Sequence, residues 1–219
     1  ILVFDSAQSL LSELPLDAVA ISVPDQVHEE TLLAALDSDV AVFYEPPVAD
    51  TRARVRPVLQ RLVAAQQITH ADLEVAYIPA VVRSAQMIKS GTIGQPRTAC
   101  IRLQCNWGPW TNLDLCTVDH LTPWYVDVLN RMLDALPKRV LVLDGHGTLG
   151  RSQNQSIGVF DYGDVWGMFQ INIASVIDLE TTIEVNGDDG DLITNVFTGE
   201  IRLRSRKSSD WSVEQVGFI

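Results

Sequence analysis

The feature that most constrains the fold is a pair of apolar runs, at 17–23 and 40–44, separated by one amphipathic segment. Val, Ile and Ala fill the first run almost without interruption, which is typical of a strand buried on both faces of a parallel sheet. Leucines at helical spacing between the runs predict a helix. Ligands of such strand–helix–strand units bind where the strands end, here at Pro24–His28 and Glu45–Pro47.

The rest of the chain predicts two domains of different character. Residues 51–66 and 67–75 continue the alternation of helix and strand, and Pro79 opens a further helix that ends at Gly91. Beyond Gly94, alternating strands separated by Gly and Asp turns dominate. We therefore predict a parallel α/β domain over residues 1–77 and an α+β domain with an open, mostly antiparallel sheet over residues 78–219.

Several local expectations follow from the same patterns. Residues 1–4 predict a short strand, and either Asp5 or Ser6 suits the N-cap of the helical turn after it. Residues 97–107 alternate like a half-buried strand. A loop over 108–121 and a helix that Pro123 begins, running to Leu136, complete the predicted middle of the chain.

Composition excludes several classes of function. A net charge of −12 argues against binding to a phosphate backbone, and the alternating basic segment 202–207 is typical of the exposed face of a strand. No apolar run approaches the roughly 20 residues that span a bilayer. Cys100, Cys105 and Cys116 have neither metal-ligand nor disulfide spacing, so we expect no metal, and we expect reduced thiols in a cytoplasmic protein.

Four segments in the right order carry a resemblance to a known family. They are Val23-Pro-Asp-Gln-Val-His28, Tyr44-Glu-Pro-Pro47, the helix between Tyr77-Ile-Pro79 and Gly91-Thr-Ile-Gly94, and Trp124-Tyr-Val-Asp127. With them the chain resembles the Gfo/Idh/MocA family, the glucose–fructose oxidoreductase and inositol dehydrogenase group. The resemblance implies an incomplete Rossmann-like first domain, NAD or NADP as the cofactor, and a sugar, polyol or cyclic imine as the ligand.

The chain departs from the family at the positions that carry chemistry. The Gly-x-Gly-x-x-Gly turn, which holds the cofactor's pyrophosphate, has no counterpart ahead of the first predicted strand. Pro46 stands at the Lys of the family's Glu-Lys-Pro motif. Trp124 stands at the His of its His-x-x-Asp motif, and His120 at the Asp upstream. These departures predict an N-terminally incomplete, catalytically impaired member that binds no nicotinamide cofactor in the micromolar range.

The resemblance also places the candidate site residues. Pro24, His28, Glu45 and Pro47 are the expected cofactor contacts, and the Pro46–Pro47 bond is expected to be cis as in the family. The expected catalytic residues are Tyr125, His120 and Asp127. Tyr125 and His120 are the remaining candidates for proton transfer near the expected cleft between the domains.

Structural roles compete with these functional ones. His28 alternatively contacts a neighbouring loop, and Glu45 pairs with an arginine or caps a helix. Asp127, read as one turn into its helix, alternatively stabilises the positive N-terminal end of that helix. The aromatic group Trp107, Trp110, Trp124 and Tyr125 lines a ligand pocket or, as is more common for such spacing, belongs to the core.

The leading hypothesis is a Gfo/Idh/MocA-type NAD(P)-dependent oxidoreductase-like protein with impaired or lost hydride transfer. The alternative is a non-enzymatic protein of the same fold that binds a small ligand or acts as a scaffold. One helix covers only one face of the predicted sheet of the second domain, and family members pair through that sheet. We therefore expect a homodimer or homotetramer that forms through it.

Overall fold

The computed structural model describes residues 1–49, 51–106, 117–146 and 154–217, and divides the chain into the units Ile1–Leu73 and Glu74–Ile219. The sequence patterns placed this boundary after residue 77. It falls earlier because Glu74–Tyr77 forms a 3₁₀ turn whose Val75 and Ala76 pack into the core of the second unit. Trp107, Trp110 and Cys116 lie outside the described residues.

The first unit is a three-stranded parallel sheet with helices. Its strands pair in the order β1–β2–β3, and the crossover unit predicted at 17–44 is present as β1, α2 and β2. Val42, Tyr44 and Leu32 are core residues of this unit, which confirms that the apolar runs are buried. The elements are α1 (Ala7–Glu13), β1 (Ala18–Ile21), α2 (Asp25–Leu36), β2 (Ala41–Tyr44), α3 (Arg52–Ala64) and β3 (Thr69–Ala71).

The first residues of the chain differ in part from the prediction. Ser6 is the N-cap of α1 and accepts a hydrogen bond from the Ser9 backbone N–H at 3.0 Å. The strand predicted over residues 1–4 is wrong, since these described residues have no strand conformation. An apolar run becomes a strand only where a neighbouring strand supplies its hydrogen bonds, and the three strands of this sheet leave residues 1–4 unpaired.

The described residues of the second unit form an eight-stranded sheet and two α-helices. The order is β11–β10–β9–β8–β4–β7–β6–β5, and every neighbouring pair except β4 with β7 is antiparallel, so the predicted mostly antiparallel sheet is confirmed. The elements are α4 (Pro79–Lys89), β4 (Pro96–Asn106), α5 (Thr117–Leu133), β5 (Arg139–Gly145), β6 (Gln155–Asp161), β7 (Trp166–Asn172), β8 (Ala174–Gly187), β9 (Gly190–Asn195), β10 (Glu200–Ser205) and β11 (Ser212–Gln215).

The two faces of this sheet have different surroundings. Ile101, Leu103 and Cys105 of β4 point into the core, where α4 and α5 also pack, whereas Cys100 and Arg102 lie on the opposite face, as the alternation predicted. Phe169 is fully buried, and its ring lies so close to Gly158 that a Cβ there would stand 2.5 Å from it. A side chain at position 158 would therefore displace this ring.

The helix α5 begins earlier than the sequence indicated. It starts at Thr117, so Pro123 lies inside it rather than at its first position. Leu121 and Tyr125, on the two sides of Pro123, are both buried in the core, and this packing holds the helix together across the proline. Because Asp127 lies in the middle of α5, its proposed role at the helix N-terminus is wrong.

Candidate functional site

The carboxyl edge of the first sheet brings the predicted cofactor residues to one place. Glu45 donates its backbone N–H to the Ile21 carbonyl at 3.1 Å, which ties the ends of β1 and β2 together. Pro24 is the N-cap of α2, three residues after the end of β1, and its side chain makes no capping hydrogen bond. The Pro46–Pro47 peptide bond is cis, as the resemblance implied.

His28 is the least ordinary residue of this edge. It lies in α2 with an exposure of only 2%, and neither ring nitrogen forms a hydrogen bond of normal geometry. Burial lowers the pKa of the ring below its usual 6.5, against the Asp25 carboxylate and the backbone of Val48 and Glu45, which raise it. His28 therefore contacts the neighbouring turn, as the structural alternative predicted, and its ring is held neutral.

This edge has part of what a nicotinamide cofactor needs. Backbone at the ends of two parallel strands and an uncapped helix start suit a polar ligand. Pro46 supplies neither charge nor a hydrogen-bond donor, so nothing at that position can attract the cofactor or a substrate electrostatically. The residues of this edge fit the contact role and do not fit a catalytic one.

In the second unit, Trp124 is held by a side chain that the sequence analysis did not include in the site. Its indole Nε1–H donates to Oε2 of Glu74 at 2.5 Å, between α5 and the 3₁₀ turn. Trp124 packs only partly buried against the core, because its indole N–H requires a polar partner. The position where the family has its acid–base histidine is thus engaged in an internal hydrogen bond.

Asp127 is engaged in the same way. Its Oδ2 accepts a hydrogen bond from Nε of Arg131, one turn later in α5, at 2.6 Å. The Arg131 guanidinium in turn lies over the ring of Tyr77, 5.1 Å from its centroid. The carboxylate that the resemblance assigns to the substrate therefore lies in an ion pair that also reaches the 3₁₀ turn.

Tyr125 and His120 differ in their surroundings. Tyr125 is buried, and this burial raises the pKa of its phenol to about 12, while the nearby Thr181 hydroxyl acts in the opposite direction. A phenol with this pKa stays protonated near neutral pH, so it can donate a hydrogen bond but is a poor proton-transfer group. His120 is half-buried on the same helix, four residues before Trp124.

The residues that sequence reasoning missed are Glu74, Tyr77 and Arg131 as members of this cluster. Asp127 and Arg131 have the i, i+4 spacing of a helical ion pair, which could have identified that contact. Glu74 carries no such signal, since it contacts Trp124 across a separation of 50 residues.

Comparison with known proteins confirms the predicted resemblance. Residues 1–73 match the Gfo/Idh/MocA model, described as an oxidoreductase family with an NAD-binding Rossmann fold. Among curated proteins no sequence match was found. The first unit is therefore similar to the NAD-binding Rossmann fold of that family, and the match ends where the first unit ends.

Solved structures show the same fold over nearly the whole chain. An inositol dehydrogenase homolog of Azotobacter vinelandii, complexed with NADH and myo-inositol, is 15% identical with a TM-score of 0.85, over 97% of this chain and 60% of its own. An oxidoreductase of Agrobacterium radiobacter, in complex with NAD+, L-tartaric acid and magnesium, is 12% identical with a TM-score of 0.84, over 98% and 65%. The chain thus spans less than two thirds of their length.

No helix in the described parts of the chain combines the length and the apolar character that crossing a bilayer requires.

Proposed function

We propose that this protein is a Gfo/Idh/MocA-type oxidoreductase-like protein whose hydride-transfer chemistry is impaired or lost. The observation that carries the proposal is the Trp124–Glu74 hydrogen bond at the position of the family's acid–base histidine. Hydride transfer to or from an alcohol needs a group that takes or returns the hydroxyl proton. An indole N–H cannot accept a proton, and Pro46 supplies no lysine to replace it.

The cofactor side of the proposal rests on the first unit. Pro24, Glu45 and Pro47 would contact NAD or NADP through backbone and ring surfaces, since they lie at the carboxyl edge of a sheet that matches an NAD-binding family. His28, whose ring is buried, would support this contact region from beneath the turn at residues 45–48. A bound nicotinamide supplies the hydride carrier. The ligand class we propose is a sugar, polyol or cyclic imine, and Tyr125 would donate a hydrogen bond rather than transfer a proton.

The face of the second sheet that points away from α4 and α5 carries exposed apolar side chains, and these support self-association. Self-association also favours the alternative that the protein acts as a scaffold. Leu141, Leu143 and Ile157 lie on this face with exposures of 61%, 64% and 50%, and Trp166 extends the apolar surface. Leu143 and Ile157 are directly opposed on β5 and β6. We propose that this apolar face pairs with a second copy in a homodimer or homotetramer, and that the protein acts in the cytoplasm with reduced Cys100 and Cys105.

Two experiments test these proposals separately. Titration calorimetry of NADH and NADPH measures cofactor binding, and turnover with sugars, polyols and cyclic imines measures chemistry. We expect no micromolar binding of either cofactor and no turnover. A clear micromolar isotherm, or turnover by the protein with its native Trp124, would contradict the proposal.

Light scattering measures assembly. We expect a dimer or tetramer that the double substitution Leu143→Glu, Ile157→Glu converts into a monomer, because facing carboxylates would be buried unpaired. The matched control Leu59→Glu, at an exposed apolar residue of α3, should leave the assembly intact. A native monomer at micromolar concentration would contradict the pairing.

A further inference from the structure

The ring of His28 is buried without a hydrogen bond of normal geometry, whatever the function of the protein. Buried polar side chains in native proteins nearly always have hydrogen-bond partners, and both ring nitrogens of His28 are exceptions. The ring lies at the junction of α2 and the turn at residues 45–48, where Val48 and Leu32 belong to the same core cluster. Water cannot solvate a charged imidazole there unless this junction opens.

We propose that His28 makes the junction between α2 and the turn at residues 45–48 acid-sensitive, so that protonation of the ring opens this edge of the first unit. The edge includes Pro24, Glu45 and Pro47, the residues with which the candidate cofactor site is built. Acid would therefore loosen this part of the molecule before the core of the sheet.

The charged groups around the ring do not remove this sensitivity. The Asp25 carboxylate, on the same helix, favours the protonated ring, as do the backbone groups of Glu45 and Val48. From α3, Arg54 forms an ion pair with Glu29, so the two charges largely offset each other. The cost of burial exceeds all these contributions, because the pKa of the ring is lowered overall.

The direction of the pH dependence follows from the lowered pKa. Above the usual pKa of 6.5 the ring is neutral in both the closed and the open states, and the edge is fully stable. Below 6.5 the open state binds a proton that the closed state does not bind. The opening equilibrium then rises as the pH falls, by up to about tenfold per pH unit, until the pKa of the closed state is reached.

Hydrogen exchange of the full chain between pH 8 and pH 5, corrected for intrinsic exchange rates, measures this opening. Amides of residues 29–32, which donate to carbonyls of the first turn of α2, should lose protection below pH 6.5, whereas those of Ile101–Leu103 in the second unit should not. His28→Gln, which cannot titrate, should abolish the pH dependence, and His70→Gln, at the exposed histidine of the same unit, should retain it.

Two outcomes would overturn the proposal. One is native protection at residues 29–32 that does not change between pH 7 and pH 5. The other is an equal pH dependence in His28→Gln and the native chain. His28→Leu provides a second non-titrating variant if His28→Gln fails to fold, and the native measurement decides the matter even without either variant.

Discussion

The candidate residues of the two units are held in place by different kinds of contact. At the carboxyl edge of the first sheet, His28 is almost completely buried and neither ring nitrogen forms a hydrogen bond of normal geometry. On α5 of the second unit, Trp124 and Asp127 are only partly buried, yet each is bonded to a specific side chain. Burial holds the first group, whereas polar contacts hold the second.

This difference indicates what each region can still do. A polar group whose bonding capacity is unused can respond to a ligand or a proton, because a new partner costs it no existing contact. Trp124 and Asp127 would have to break contacts with Glu74 and Arg131 before they met a substrate. Under the proposed function, the edge of the first unit would be the region that can still bind a ligand, and the contacts of Trp124 and Asp127 would serve the fold.

The largest effects on stability should come from the buried leucines of α2 and α5, the helices that carry the candidate residues of the two regions. Leu32 of α2 and Leu129 of α5 are both completely buried. Leu32→Ala and Leu129→Ala should each reduce the free energy of unfolding by about 2–5 kcal/mol, because each leaves a cavity. This loss is measured by unfolding each variant with denaturant and following amide hydrogen exchange in the unit that carries the substitution.

The exposed Val63 of α3 provides the control for these anchors. Val63→Ala should stay within about 0.5 kcal/mol, as for most surface substitutions. A loss below about 1 kcal/mol in the free energy of unfolding for either leucine variant would show that the helix carrying that leucine does not depend on its burial.

A smaller effect is expected from the Trp124–Glu74 hydrogen bond. A double-mutant cycle with Glu74→Gln and Trp124→Phe should give a coupling of about 1 kcal/mol in the free energy of unfolding, since Glu74 is exposed and solvent weakens the contact. Zero coupling would mean that the contact does not hold Trp124, and the contrast with His28 would then disappear.

The smallest effect is expected from the Asp127–Arg131 ion pair. Asp127→Asn should destabilise the second unit by about 0.3–0.5 kcal/mol, the usual value for an exposed pair one helical turn apart. Added salt should reduce the difference between the variant and the native protein, because ions screen the pair. A loss independent of salt would point to a role of Asp127 other than this pair.

The sequence predicted those parts of the fold in which one residue pattern allows one structure. The apolar runs of β1 and β2 and the alternation along β4 are examples, since each fixes which side chains are buried. The start of α5 was missed because a proline usually opens a helix, and core packing around Pro123 overrides that preference. The short edge strand β11 was missed because its residues include a single large apolar side chain, Val213.

The candidate site was predictable only in part. Motif order located Pro24, His28, Glu45 and Pro47, because strand ends of one parallel sheet meet at one edge. The contact of Glu74 with Trp124 could not be predicted, since it depends on how a 3₁₀ turn packs against a distant helix. The missing partners of His28 were equally invisible, because hydrogen bonding depends on the geometry of the turn at residues 45–48.

The central claim is that the substitutions at Pro46 and Trp124 have impaired hydride transfer. The most direct test measures NAD(P)H-linked turnover of sugars, polyols and cyclic imines by the native protein and by the variant Pro46→Lys, Trp124→His, with Trp124→Phe as the control. At NAD(P)H concentrations high enough for calorimetry to show binding, we predict no turnover by the native protein or the control and measurable turnover by the double variant. Turnover by the native protein that Trp124→Phe leaves unchanged would contradict the account.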